Sequence, residues 1–368
     1  MGKRVLVGMS GGVDSSVTAY LLKEQGYEVE GLSFVLWEAR LKSDFTTCCS
    51  LQAINDAGST AEVLGIKHSK VDVRNEFVEK IIEPFVDRYT RGLTPNPCVL
   101  CNRFIKFPYL LKWAKERDFD YIATGHYARI ASDYRLYASS CCDDPGSSVA
   151  EHHSVLLKGI DPSKDQSYFL YVLSQEQIDR LLLPLGQYKK EDVREIARGL
   201  TLKAAERPES QEICFIEDKN YFKFIDKLSP LAGKEGPIID TEDNVIGTHK
   251  GLYTYTVGQR KGIGIAAERP LYVIGIDHVR NALYVGDKEH GFKKEFTVDK
   301  VNWLLPSVKK EIRADVKIRS TMSGRPATVI VGKEGVIVRY DEPQWAPAPG
   351  QSAVFYINDL VAGGGEIS

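Results

Sequence analysis

The chain has 368 residues, 43% hydrophobic and 27% charged, enough apolar matter for about two or three folded cores and too much for a disordered chain. No stretch approaches the roughly 18–20 apolar residues of a membrane span, and the apolar run after Lys3-Arg4 breaks at Ser10-Gly11-Gly12, too early for a secretory leader. Lys plus Arg (48) and Asp plus Glu (50) nearly cancel to a formal charge of −2, so any grip on nucleic acid must come from local patches.

The first half alternates strand and helix signals. Residues 4–9 predict a buried strand, a Gly/Ser turn follows, and a helix from about Ser16 carries Val17, Tyr20 and Leu21 on one face, with Gly26 as its stop. Residues 28–36 predict a strand, 49–64 a helix ended by Gly65, 67–73 a strand and 76–89 an amphipathic helix. A helix over 102–117 and a short buried strand over 121–124 come next. This rhythm predicts an α/β fold with a doubly wound, mostly parallel sheet.

Residues 139–154, with Asp143-Asp144-Pro145-Gly146, read as a surface loop, and helices are expected over 175–183 and 190–198. After Glu206 the texture changes. Strand-length runs fall at 237–240, 244–248, 271–277, 282–286, 298–304, 312–318, 327–331, 335–340 and 352–357. Many short strands with little helix signal predict a small barrel or sandwich. Gly363-Gly364-Gly365 reads as a frayed tail. The expected units are residues 1–205, 206–280 and 281–368.

The sharpest local signal is Gly8-Met9-Ser10-Gly11-Gly12-Val13-Asp14-Ser15-Ser16, between a strand and a helix. Glycines let backbone N–H groups face an oxyanion without Cβ obstruction. Three serine hydroxyls and the positive end of the following helix add to that pull. The segment lacks the lysine of a Walker loop and the spacing of a dinucleotide fingerprint. A plain Gly/Ser turn with Asp14 at a helix start is the bland reading. The segment resembles the PP-loop of ATP pyrophosphatases, which cleave ATP between its α and β phosphates.

Seven cysteines, an odd number, do not read as a disulfide scaffold. Cys48, Cys49, Cys141 and Cys142 are taken as small buried hydrophobes. Cys98 and Cys101 lie in Thr94-Pro95-Asn96-Pro97-Cys98-Val99-Leu100-Cys101-Asn102-Arg103, where the prolines extend the chain and a helix is expected to start near Cys101. A thiol there, close to Arg103 and Lys106, is expected to be acidic and nucleophilic. A closed zinc site would need a second cysteine pair. Cys214 sits in Ser210-Gln211-Glu212-Ile213-Cys214-Phe215, by itself an ordinary core context. Ala123-Thr124-Gly125-His126-Tyr127-Ala128 ends a strand, where α/β sheets place their ligands. Lys164-Asp165-Gln166-Ser167-Tyr168 offers a polar cluster.

Together with Tyr255-Thr256-Val257-Gly258-Gln259-Arg260-Lys261-Gly262 and Ala348-Pro349-Gly350-Gln351, these ordered motifs span nearly the whole chain and resemble the tRNA-specific 2-thiouridylase family (MnmA/TrmU). The resemblance implies a PP-loop catalytic domain, a central tRNA-contacting domain and a C-terminal β-barrel. It implies an enzyme, a sulfurtransferase that replaces the 2-oxygen of the wobble uridine of tRNA with sulfur, using ATP and Mg2+ through an adenylated uridine. By motif, Gly8, Met9, Ser10, Gly11, Gly12, Val13, Asp14 and Ser15 would bind ATP, with Gly125 and the backbone at Phe34. Asn96, Pro97 and Cys98 would surround the target base. His126, Lys164, Asp165, Gln166, Arg319, Ser320 and Gln351 would touch tRNA.

Cys101 and Cys214 would be the catalytic thiols. Cys98 stands where better-known members carry aspartate, giving a C-x-x-C subgroup. Two forms of sulfur delivery stay open: a persulfide on Cys214 resolved by Cys101, or a [4Fe–4S] cluster on Cys98, Cys101 and Cys214 with one iron left open. The resemblance also implies a cytoplasmic protein fed by a cysteine desulfurase or sulfur-relay partner, with no membrane.

Local basic clusters accompany this reading: Lys189, Lys190, Arg194, Arg198 and Lys203; Arg260 and Lys261; Lys309, Lys310, Arg313, Lys317 and Arg319. Each alone is an ordinary solvated face, whereas aligned on one side they would follow an RNA stem. Two other classes compete. One is a PP-loop ATP pyrophosphatase that adenylates a small metabolite, which needs no cysteine pair. The other is a non-catalytic RNA-binding sulfur carrier, for which Asp14 and Ser15 would be dispensable.

Overall fold

Val5, Leu6 and Val7 are completely buried, and burying each such side chain contributes about 1.5–3 kcal/mol. The first layer of the molecule grows around them. In the computed structural model, residues 2–37, 51–132, 153–200, 202, 213–216, 221–229, 233–333 and 335–368 are described. The chain enters as β1 (Arg4–Gly8), α1 (Val13–Glu24), β2 (Glu28–Val35), α2 (Leu51–Leu64) and β3 (Lys67–Asp72). Then come α3 (Arg74–Phe77), a π-helical turn (Val78–Ile82) and α4 (Glu83–Thr90). A second run of the same kind follows: α5 (Pro97–Cys101), a π-helical turn (Asn102–Lys106) and α6 (Phe107–Glu116). The half closes with β4 (Tyr121–Ala123), β5 (Ala128–Ala131), β6 (Val155–Lys158), α7 (Gln175–Asp179), β7 (Leu181–Leu182), α8 (Lys190–Gly199) and α9 (Tyr221–Leu228).

The rest is strand: β8 (Gly236–Ile239), β9 (Val245–His249), β10 (Tyr272–Asp277), β11 (Ala282–Gly286), β12 (Phe292–Trp303), β13 (Glu311–Lys317), β14 (Arg325–Val331), β15 (Val336–Trp345), β16 (Ser352–Ile357) and β17 (Leu360–Ile367). The first sheet has the order β3-β2-β1-β4-β7 and all its pairs are parallel. The expected doubly wound sheet is therefore present. Its strand order reverses between β1 and β4, and at that point the carboxyl ends of neighbouring strands open a crevice. A four-stranded sheet, β10-β11-β8-β9, forms the central unit. The C-terminal strands run β12-β15-β14-β13-β16-β17, and β12 pairs with β17, so this sheet closes on itself as a barrel. β6 and β5 extend it from the first half through β17.

Several expectations are corrected. The helix expected from residue 102 begins at Pro97, because proline at a first helical position loses no needed hydrogen bond. Asn96 caps it, its Oδ1 accepting from the Val99 N–H at 3.3 Å. The helix expected over 175–183 stops at Asp179, since Leu181 and Leu182 pair with β4. The glycine-rich end is no frayed tail: residues 360–365 are buried in β17. A Cβ on Gly365 would stand 2.5 Å from the Asp299 carbonyl oxygen, and one on Gly364 2.7 Å from that of Ala353. Glycine here lets β12 and β16 approach from either side. Residues 139–152 of the loop expected over 139–154, together with Cys48, Cys49, Cys141, Cys142 and Lys203, lie outside the described residues.

Gly365→Val is expected to push β17 off β12 and destabilise the protein by about 1–3 kcal/mol, the usual cost of overpacking. Denaturant unfolding measures this, and an unchanged midpoint would show that the barrel seam tolerates a side chain there.

Candidate functional site

α1 starts at Val13, three residues before the expected position, so the Ser-Gly-Gly turn runs directly into its first turn. The first N–H groups of a helix have no carbonyl one turn back and face outward. The turn is locked from inside: the Ser10 N–H donates to Ser15 Oγ at 3.2 Å, and the Ser15 and Ser16 hydroxyls donate to the Gly12 carbonyl at 3.2 and 2.9 Å. Gly11 has φ +75°, and a Cβ there would stand 2.0 Å from the Ala53 carbonyl oxygen, so the loop can seat on α2 only with glycine. Gly125 plays a similar part on the other strand end. A Cβ at Gly125 would lie 2.8 Å from the Asp14 carbonyl carbon.

A cavity of about 330 Å³ opens at this switch point. Of the residues expected to hold ATP, Gly8, Met9, Ser10, Asp14, Ser15, Phe34 and Gly125 line it. Gly11, Gly12 and Val13 shape the turn behind that wall. Of the residues expected near the base or tRNA, Pro97, Cys98, His126 and Gln166 line the same cavity, as do Cys101 and Cys214. Leu36, Ile54, Phe77, Ile81 and Phe215 supply an apolar wall that the sequence did not single out. Phe215 packs edge-on against Phe77 and Phe85 and holds its neighbour Cys214 at the cavity.

Cys98 is exposed in the first turn of α5, Cys101 is buried one turn later, and Cys214 is half-buried. The argument that placed Cys101 at a helix start therefore applies to Cys98 instead. The three thiols line one cavity, although among the described residues no three His, Cys, Asp or Glu side chains converge as ligands of a single metal ion.

His126 Nδ1 lies 2.8 Å from Thr124 Oγ1, and its ring stacks on Phe107 at 5.7 Å. Burial, seconded by the charge of Lys106, holds His126 well below the usual 6.5, so it is neutral at pH 7. Lys106 also lines the cavity. It ends the π-helical turn Asn102–Lys106, and such turns recur at functional sites because one extra residue re-aims the side chains.

Apart from Gln166, the remaining expected contacts lie outside the cavity lining. The Asp165 side chain is 5% exposed: its carboxylate accepts from the Gly159 and Ser167 N–H groups at 3.1 Å each and lies 3.8 Å from Lys317 Nζ. Burial in turn lowers the Lys317 pKa. Gln166 accepts from the Tyr127 N–H at 3.0 Å. Lys164 sits in the turn before them, its N–H donating to the Asp161 carbonyl at 3.1 Å. Arg319 donates to the Ala346 carbonyl at 3.1 Å and the Val257 carbonyl at 3.4 Å, tying the barrel to the central unit. Ser320 follows it in a turn. Gln351 bonds through its backbone to Ala348 and Ile367. Among the described residues, Arg313 is bound to Asp341 at 2.6 Å.

Lys190 is the main correction to the expected basic face. It is buried, and its Nζ lies 2.6 and 2.8 Å from the two Asp14 carboxylate oxygens. The Tyr127 hydroxyl donates to the same carboxylate at 2.8 Å. Lys190 opens α8, where the helix dipole disfavours a cation. That misplacement was the one available sequence signal. The pair neutralises the only carboxylate of the phosphate loop and removes its repulsion toward an anionic ligand.

Residues 3–218 match the family model described as a tRNA methyl transferase HUP domain, residues 223–287 a tRNA methyl transferase PRC-barrel domain, and residues 293–367 an aminomethyltransferase beta-barrel domain. The chain is 46% identical over 374 residues to tRNA-specific 2-thiouridylase MnmA 1 of Caldanaerobacter subterraneus subsp. tengcongensis, covering 100% of this chain and 98% of that protein. It is 42% identical over 370 residues to tRNA-specific 2-thiouridylase MnmA of Clostridioides difficile, with the same coverage of both chains.

Lys190→Met is expected to weaken ATP binding about tenfold or more by leaving the Asp14 carboxylate without its cation beside the triphosphate, a loss on the scale of a charged hydrogen bond. Titration calorimetry reads it, with Lys190→Arg close to the original chain. Equal affinities for Lys190→Met and the original chain would show that the pair does not serve the loop.

Proposed function

The chain belongs to the tRNA-specific 2-thiouridylase family, and from that premise we propose how its residues carry out ATP-dependent 2-thiolation of the wobble uridine of tRNA. The observation that carries the reading is one cavity lined both by the Ser-Gly-Gly turn and by three thiols. A methyl transfer, the activity in the family models' descriptions, gives no use for that combination.

The chemistry runs in two stages. A uracil oxygen is a poor leaving group and AMP is a good one. MgATP on the loop, its phosphates met by Ser10, Ser15 and the first N–H groups of α1, receives the uridine O2 on its α-phosphorus and loses pyrophosphate. The terminal sulfur of a Cys214 persulfide then attacks C2 and displaces AMP. Attack of the Cys101 thiolate on the Cys214 sulfur forms a Cys101–Cys214 disulfide and releases the C2–S bond as 2-thiouridine. An external thiol reductant and a sulfur donor, such as a cysteine desulfurase or sulfur-relay protein, reset the pair. His126 and Lys106 border the reacting atoms, and Asn96, Pro97 and Cys98 border the base.

Cys98 supports a second reading. Three thiols line the same cavity, the ligand number of a [4Fe–4S] cluster with one iron left open, and Cys98, Cys101 and Cys214 would have to draw together to hold it, since as placed they do not converge on one metal ion. Bound there, it would supply a coordination site for the incoming sulfide. Either form needs reduced thiols, which suits a cytoplasmic setting. Among the described residues no helix is long and apolar enough to cross a membrane.

Anaerobically reconstituted protein, tRNA transcript and ATP, followed by nucleoside mass spectrometry, test the assignment. Cys101→Ser and Cys214→Ser are expected to abolish 2-thiouridine while tRNA binding survives, and Asp14→Ala to abolish it through ATP. A thiol variant that still thiolates at the original rate removes that residue from the mechanism. Full activity without bound iron removes the cluster.

A further inference from the structure

A second cleft lies beside the cavity, between α4, the π-helical turn after Cys101, and the barrel strands β12 and β17. Arg88, Arg103, Lys300 and Glu366 line it together with Asn96 and Gly350. Arg88 Nη1 is 2.9 Å from Glu366 Oε2, and Lys300 Nζ is 3.4 Å from the same oxygen. Among the described residues Arg103 faces no carboxylate, and its guanidinium lies 5.5 Å over the Phe104 ring. The cleft is thus lined by three cations and one carboxylate, two positive charges in excess.

The position of the cleft is fixed from both sides. The Thr94 N–H donates to the Pro349 carbonyl at 2.9 Å, pinning the loop before α5 onto the barrel. Lys300 has φ +51°, an uncommon conformation for lysine, where β12 shifts register between Asp299 and Asn302. The bulge brings its ammonium to Glu366. Asn96, on the cleft wall, is next in sequence to Pro97 and Cys98 on the cavity wall. A nucleotide whose base enters the cavity past Pro97 must run its backbone over Asn96.

We propose that this cleft binds a phosphodiester of the RNA strand adjacent to the base presented to the cavity, with Arg103 and Lys300 as the contacting cations. The proposal rests on the thiolation reading above. Glu366 competes with the incoming phosphate for Lys300, so its charge opposes RNA binding.

The test is RNA affinity by fluorescence anisotropy on a labelled tRNA transcript, between roughly 50 and 200 mM salt. Arg103→Met and Lys300→Met, both at exposed side chains, are each expected to weaken binding about 3- to 10-fold and to reduce the salt slope by about one. Glu366→Gln is expected to tighten binding. ATP affinity stays unchanged in all three. Inorganic phosphate at constant ionic strength is expected not to displace the RNA, and displacement at millimolar phosphate would mark a free-anion site and overturn the proposal. Unaltered affinity and slope in both cation variants, or weaker binding in Glu366→Gln, would also overturn it. If the original chain binds no transcript, the thiolation reading fails as well. If it binds and the variants do not matter, only the cleft assignment falls.

Discussion

The pairing of β1 with β4 is the contact on which the site depends. Val5, Leu6 and Val7 run parallel to Tyr121, Ile122 and Ala123, so Gly8 and Thr124 end side by side. Every functional segment leaves from that edge or packs against it. The phosphate loop follows β1, Gly125 and His126 follow β4, and the helical run from Pro97 lies across the opening. The close approach of Gly125 to Asp14 shows how little slack that edge has.

Charge balance inside the loop is the second constraint. A carboxylate at the start of α1 suits the helix dipole but opposes a polyphosphate. Lys190 and Tyr127 resolve the conflict by occupying both oxygens of Asp14. Tyr127 also joins the loop to Gln166 through its backbone, so the Ser-Gly-Gly loop and Gln166 belong to one connected hydrogen-bonded unit. The C-terminal barrel enters the same assembly through Pro349, which pins the loop before α5 at Thr94, and through Glu366, which pairs with Arg88 of α4. A barrel far away in sequence therefore fixes the thiol-bearing helix.

The sequence alone determined the parallel sheet, the phosphate turn and the three thiols worth following. Those signals are local: hydrophobic spacing, a Ser-Gly-Gly turn, and cysteines next to prolines. Tertiary structure decided which of those thiols is exposed, since the helix start at Pro97 depends on an Asn96 cap that spacing did not reveal. It turned the Gly363-Gly364-Gly365 tail into the closing strand of a barrel, because glycine's missing side chain admits two neighbouring strands that are invisible along the chain. It also moved Lys190 and Asp165 from an expected RNA surface into internal ion pairs. A charged residue's partner lies at long range, and only folding decides whether its charge faces solvent or another side chain.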